Sequence, residues 1–213
     1  MRTELFNIHP MKIGFFRTMR AFARTRVRAG MRLLDVASND FRMAYLFPGV
    51  DYVGADLDPD MLRKGQTRHP GPEHNAVCCD IRSLPFPDGC FDAVISTHTL
   101  IHVPSGDDRD IAVLELLRVL KPGGDLVVNM TYWPVWVDRL EGRLTKRFDR
   151  VERIAHRRAF MAWWENRIIK PCERGPWPLR AYLGLIAPVI HVADRFGAPT
   201  MNLLRCEGFR PGP

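Results

Sequence analysis

The chain has 213 residues, 46% hydrophobic and 26% charged, which suits one domain with a sizeable core and an appendage and fits neither a disordered nor a fibrous chain. Its formal charge of +7 conceals a division: residues 1–31 carry net +6, residues 32–130 net −6 from 9 basic and 15 acidic side chains, and residues 131–213 net +7. An acidic middle between basic flanks argues against a uniformly basic nucleic-acid binder, whose electrostatic footprint should run through the folded core.

Five cysteines, Cys78, Cys79, Cys90, Cys172 and Cys206, are an odd number without a CxxC, so they suggest neither a disulfide framework nor a zinc knuckle. The start, MRTELFNIHPMKIGFF, lacks a continuous apolar segment with a small-residue cleavage site and does not read as a secretory signal. The longest nearly apolar run, residues 182–193, contains Pro188 and His191 and falls well short of the ~20 residues that span a bilayer. The expected location is the cytoplasm, with a peripheral membrane contact through basic helices.

The first predicted element is a helix over residues 11–28. At about 100° per residue, Phe15, Phe16, Met19, Phe22, Ala23 and Val27 fall on one arc and Arg17, Arg20, Arg24 and Arg28 on the other. Such a helix either packs its Phe stripe on the domain with solvated arginines outside, or meets anionic lipid or an acidic substrate. From Met31 the pattern becomes short apolar runs with polar and Gly/Pro punctuation. Strands are expected at 32–37, 51–56, 76–80, 91–96 and 125–130, and helices at 41–46, 59–66 and 111–120, the last closed by LysProGlyGly. This alternation predicts an α/β fold with a doubly wound, mostly parallel, Rossmann-like sheet that binds its ligand outside the carboxyl ends of the strands. Beyond Met130 it stops. Residues 139–170 look helical and charged, 171–178 form a breaker-rich loop, 179–196 suggest another helix interrupted near Pro188, and 201–206 a closing strand. The expected organisation is a basic amphipathic helix over 1–30, a core over 31–130, and a helical substrate-specificity region over 131–213.

The predicted strand ends carry the chemistry. Asp35, Asp56 and Asp80 close the first three strands, and SerThrHisThr follows the fourth. A carboxylate at the end of the second strand can accept both hydroxyls of a ribose, and an Asp after the third, with the next backbone N–H, can read an adenine edge. The bland alternative for each is a solvated turn or helix cap.

Residues 31–130 resemble the class I S-adenosylmethionine-dependent methyltransferases of the group that includes the ubiquinone/menaquinone methyltransferases. The matching stretches are LLDVASNDF, YVGADLDPDML, CCDIRSLPFPDGCFDAVIS and ELLRVLKPGGDLVV. The resemblance implies S-adenosylmethionine as cofactor, with Asp35, Ala37 and Asn39 toward its methionine end, Asp56 and Leu57 at the ribose, Asp80 and Ile81 at the adenine, and Thr97 near the methyl group. The family's glycine-rich turn is altered, with Ala37, Asn39 and Phe41 at the three glycine positions. Asn best tolerates the left-handed region after Gly. Phe41 has two outcomes: it turns inward as core, or it crowds the carboxypropyl end of the cofactor.

Methyl transfer needs positioning and sometimes a base. His98 and His102, just after the fourth strand, are the candidates for that base or for acceptor binding, against a structural or solvated role. A metal pair is disfavoured because no third ligand is close in sequence, so no metal site is expected. Enzymes of this kind that methylate exocyclic amines place Asn/Asp-Pro-Pro-aromatic where this chain has SerThrHisThr, and its absence favours an oxygen or carbon acceptor. Tyr132, Trp133 and Trp136 are candidate aromatic walls for a sugar ring or isoprenoid tail, in a small-molecule, glycan or lipid-linked acceptor. Trp163 and Trp164, amid basic residues, either stack nucleic-acid bases, line up at a membrane interface or grip a phosphorylated carrier, or form one helix's packed and solvated faces. Related enzymes end the sheet with two antiparallel strands, so either 201–206 is the final strand or the last hairpin is missing. Two rival functions stand beside methyl transfer: a degenerate cofactor-binding protein, and an RNA-modifying enzyme using the basic flanks.

Overall fold

The computed structural model describes residues 13–131, 134–157 and 199–212. The chain divides into two compact units, residues 1–20 with 155–201 and residues 21–154 with 202–213. The second holds nearly all of the described residues and every site residue discussed below.

Seven strands form one sheet: β1 (Arg32–Val36), β2 (Asp51–Asp56), β3 (His74–Cys78), β4 (Phe91–Thr97), β5 (Leu120–Thr131), β6 (Phe148–Arg157) and β7 (Pro199–Phe209), in the order β3-β2-β1-β4-β5-β7-β6. The pairings β2–β3, β1–β2, β1–β4 and β4–β5 are parallel, so the fold is Rossmann-like with a mostly parallel sheet. The order reverses between the paired strands β1 and β4, whose onward connections lead to opposite sides, to β2 and to β5, and leave between them the crevice where such sheets bind ligands.

Side chains alternate across the sheet. Leu34, Val36, Val53, Ala55, Val94, Leu126 and Val128 face the main core, which also takes in Ala112, Val113 and Leu116 of α3 (Gly106–Arg118) and Val137, Leu140 and Leu144 of α4 (Pro134–Thr145). On the other face Leu33, Asp35, Tyr52, Ile95 and Val127 are buried, and α2 (Pro59–Arg68) packs against β2 and β3. Asp58 caps α2 by accepting the Asp60 and Met61 N–H groups, and Ser105 caps α3 through Asp108 N–H.

The first helix, α1 (Ile13–Arg26), has the expected sidedness: Phe15, Met19, Phe22 and Ala23 are buried and Arg17, Arg20 and Arg24 exposed. At its end Arg26 grips Asp125 of β5 with two hydrogen bonds of 2.8 and 2.9 Å. Among the described residues no helix is long and apolar enough to cross a membrane.

Several elements differ from expectation. Residues 41–46 form only a short 3-10 turn at Ala44–Leu46. β3 begins and ends two residues early, which leaves Asp80 in the following loop. α3 starts at Gly106, because its GlyAspAsp first turn is polar and hides it from periodicity. LysProGlyGly belongs to β5, where Leu120 pairs with Phe91 and Asp125 with Ala93, so the strand bulges there. The charged helix expected over 139–170 ends at Thr145, and β6 follows. β6 is an edge strand, where charge on both faces is tolerated, and Arg205 of β7 pairs with its Glu152. β7 contains residues 201–206 and also GluGlyPhe, so the closing strand is present. The loop expected at 171–178 and the helix at 179–196 lie outside the described residues, as do Tyr132, Trp133, Trp163 and Trp164.

Candidate functional site

The turn leaving β1 is built without glycine yet follows a glycine path. Ala37, Asn39 and Phe41 have φ of 59°, 53° and 57°, a left-handed region that costs an L-residue about 1–2 kcal/mol. What holds it is a set of short-range anchors. Ser38 N–H donates to the Ala55 carbonyl at 3.1 Å, Asn39 N–H to Asp56 Oδ2 at 2.8 Å, and Asp40 N–H to Asn39 Oδ1 at 2.9 Å. The buried Asp40 carboxylate is in turn held by Arg42 at 2.9 Å and Arg68 at 2.8 Å.

Of the two outcomes open for Phe41, the inward one holds. Its side chain is 0% exposed and fills a slot between Gly54 of β2 and Gly65 of α2. A Cβ at Gly65 would come within 2.6 Å of the ring, and one at Gly54 would overlap it. The ring also meets Tyr52 edge-on at 5.3 Å.

Tyr52 donates its hydroxyl to Asp35, and both side chains are buried. Burial raises the Asp35 carboxyl to about 7; the Tyr52 hydrogen bond pulls it down and the nearby Asp56 carboxylate pushes it up. Asp35 therefore sits beneath the turn, tied to Tyr52.

The rim at the ends of β2 and β3 is more open. Asp56 Oδ1 accepts Asp58 N–H at 3.0 Å while its Oδ2 accepts Asn39 N–H, so the carboxylate is fixed by backbone on both sides. Leu57 next to it is 67% exposed. Asp80 takes two hydrogen bonds on Oδ2 from Arg82, at 3.0 and 2.6 Å, and Arg82 reaches Asp108 at 3.2 Å. The Arg82 hydrogen bonds hold the Asp80 carboxyl below the ordinary range. The Ile81 side chain is buried in the main core.

At the end of β4, Thr97 is half-buried and in register with Asn129 of β5. His98 follows at φ 61°, with its Nε2 3.3 Å from Asn129 Nδ2. His102 closes a 3-10 turn at Leu100–His102 and is exposed, so the two histidines have different surroundings. Thr99 Oγ1 donates to the Val36 carbonyl at 3.3 Å and ties this loop to β1. Trp136, in the first turn of α4, is half-buried and packs on the main core.

Sequence reasoning passed over Tyr52, Gly54, Gly65, Arg82 and Asn129. A polar Asn inside LeuValValAsnMet and a Gly inside a short helix were the available signals.

The strand order, with the left-handed turn after β1 and the acidic rim beside it, is that of the class I S-adenosylmethionine-dependent methyltransferase fold. A family model for a methyltransferase domain matches residues 34–128. Among curated relatives, the ubiquinone/menaquinone biosynthesis C-methyltransferase UbiE of Bordetella avium is 36% identical over 127 residues, 55% of this chain and 48% of that protein. The demethylmenaquinone methyltransferase of Thermus thermophilus is 40% identical over 109 residues, 47% of each chain. The chain thus spans about half the length of the curated relatives it matches. Among solved structures, the [4+2]-cyclase SpnF has a TM-score of 0.62 at 21% identity, covering 92% of this chain and 82% of that one. A phosphoethanolamine N-methyltransferase of Haemonchus contortus in complex with S-adenosyl-L-methionine has a TM-score of 0.60 at 18% identity, covering 92% and 53%. At these identities the likeness shows the fold alone.

S-adenosylmethionine is the family's cofactor, and the residues present fit it. The turn keeps its left-handed backbone, the bulky residue at its third glycine position is buried in the core, and the Asp56 carboxylate is fixed at the strand end.

Proposed function

We propose that this chain binds S-adenosylmethionine across the ends of β1, β2 and β3 and transfers its methyl group to an oxygen or carbon of a small-molecule, glycan or lipid-linked acceptor. The observation that carries the reading is Asp56, anchored to the left-handed turn through Asn39 N–H. Each Asp56 oxygen uses one acceptor site on a backbone amide and keeps another for a ribose hydroxyl. The exposed Leu57 offers an apolar surface to adenine beside it. Asp80, kept ionised by Arg82, serves as the acceptor for the adenine edge. When bound, the cofactor supplies a methyl group on a sulfonium centre.

The chain's remaining work is to position the acceptor and take up a proton. His98, half-buried at the end of β4 and held by Asn129, is the candidate base. The exposed His102 is the second candidate, in acceptor binding, and Trp136, with Tyr132 and Trp133, is a candidate wall. The SerThrHisThr sequence at the end of β4 supports carbon or oxygen over an amine nitrogen, and the likeness to relatives named as C-methyltransferases supports carbon.

The test has two arms. Isothermal titration with S-adenosylhomocysteine is expected to give binding, and no heat with no thermal shift at millimolar ligand sinks the reading. His98→Ala is expected to abolish most methyl transfer while leaving that affinity unchanged; unchanged turnover removes His98 as the base. Binding without transfer to any acceptor would instead mark a cofactor-binding protein.

A further inference from the structure

The chain retains glycine at two places where glycine is locally unfavourable. Gly54 lies inside a central strand and Gly65 inside α2, and Gly weakens both kinds of element. Each is the site where the Phe41 ring makes close contact, and the ring is fully buried between them. Phe41 is also the third left-handed residue of the turn whose Asn39 N–H holds Asp56. Its ring and its backbone therefore join two structures: the α2–β2 packing below and the cofactor turn above.

We propose that the Phe41 ring, seated between Gly54 and Gly65, holds the glycine-free turn in its cofactor-accepting path, which makes Phe41, Gly54 and Gly65 positioning residues for S-adenosylmethionine. The physical reason is that a glycine-rich turn needs no such support, whereas three side-chain-bearing residues in the left-handed region relax elsewhere unless packing over-determines them. A buried ring that fits only where two Cβ atoms are missing supplies that constraint. A Cβ at Gly65 displaces the ring, the ring carries the backbone of Phe41 with it, and the amide of Asn39 turns from Asp56. The inference rests on the cofactor reading above.

The test is a double-mutant cycle read by S-adenosylhomocysteine titration at low temperature, with folding checked by far-ultraviolet circular dichroism. In the parent, Gly65→Ala is expected to raise the Kd about tenfold, although Ala outranks Gly in a helix interior. In a Phe41→Gly background the same substitution has room. There it is expected to leave the Kd within about twofold and to raise the melting temperature, an inversion of sign that a fixed penalty at Gly65 does not produce. If Gly65→Ala lowers the melting temperature in the parent without changing the Kd, the ring is core filling only and the proposal is overturned. Should Gly65→Ala not fold, Phe41→Leu replaces it, since it keeps buried apolar volume without the ring; an unchanged Kd there overturns the proposal equally. A parent chain that binds no S-adenosylhomocysteine overturns the cofactor reading itself, a result distinct from a parent that binds and variants that bind as well.

Discussion

The two halves of the proposed cofactor site are held by different forces. The turn after β1 stands on buried groups: the Phe41 ring between two glycines, the Asp35–Tyr52 hydrogen bond, and Asp40 between two arginines. The rim at the ends of β2 and β3 stands on partly exposed charge: Asp56 on backbone amides, Asp80 on Arg82, and Leu57 open to solvent. Packing in a dense interior resists change of even one methylene, while exposed ion pairs are weak and screened by salt. The turn therefore carries stability and shape, and the rim is the part that adjusts at little energetic expense.

The largest effect should separate the two halves directly. Phe41→Ala empties a filled slot and is expected to lower unfolding free energy by about 3–5 kcal/mol, measured by urea denaturation. Arg82→Ala on the rim is expected to leave the melting temperature where it is, and comparable losses in both variants would break the distinction. Asp56→Ala comes next. It removes charge-assisted hydrogen bonds, each contributing about 1.5–3 kcal/mol, so S-adenosylhomocysteine affinity should fall about 100-fold, with a smaller change in stability.

A pH series sharpens the contrast further. The Asp35 carboxyl, ordinarily at 3.8, is raised to about 7 by burial in the folded chain. Between those values the folded state keeps a proton that the unfolded state releases, so this group's contribution falls as pH rises from about 4 to about 7 and is flat above. The difference in melting temperature between parent and Asp35→Asn should show that slope. Tyr52→Phe should move its upper end higher, because the lost hydrogen bond was pulling the carboxyl down. Asp80, held below the ordinary range by Arg82, gives the opposite slope at lower pH. A flat difference curve for Asp35→Asn would place that carboxylate in contact with water.

Much of this architecture was legible in the sequence because its signals are local. β1, β2 and β4 are short apolar runs with a polar residue at or next to their last position, and they stand within a residue of where the pattern puts them. LeuProPheProAspGly and GluLeuLeuArgValLeuLysProGlyGly are linked by physical contact: Glu115 accepts Leu84 N–H at 2.8 Å, and Arg118 donates to the Leu84 and Phe86 carbonyls at 2.9 and 2.8 Å. The sequence hid whatever depends on distant partners. β6 reads as helical because its charged residues find their partners on other elements, Glu152 on Arg205 of β7 and Arg153 on Asn202 of β7 and on Asp138 and Glu141 of α4. The Phe41 slot needs Gly54 and Gly65, and nothing near Phe41 in the chain announces them. Asn129 meets His98 only once β4 and β5 are in register.

The smallest effect tests whether the turn is strained at all. Ala37 at φ 59° pays the left-handed penalty without a ring to seat or a side-chain hydrogen bond. Ala37→Gly relieves about 1–2 kcal/mol of that penalty, while glycine's greater unfolded-state freedom takes back roughly 0.5–1 kcal/mol. The net expectation is a gain of up to about 1.5 kcal/mol by urea denaturation, with S-adenosylhomocysteine affinity unchanged because the backbone path is already the one glycine would take. A gain in affinity of tenfold or more would mean that the substituted turn departs from that path when the ligand is absent. The burden carried by Phe41 would then be only partly met, and the turn would behave more like the adaptable rim than like the core beneath it.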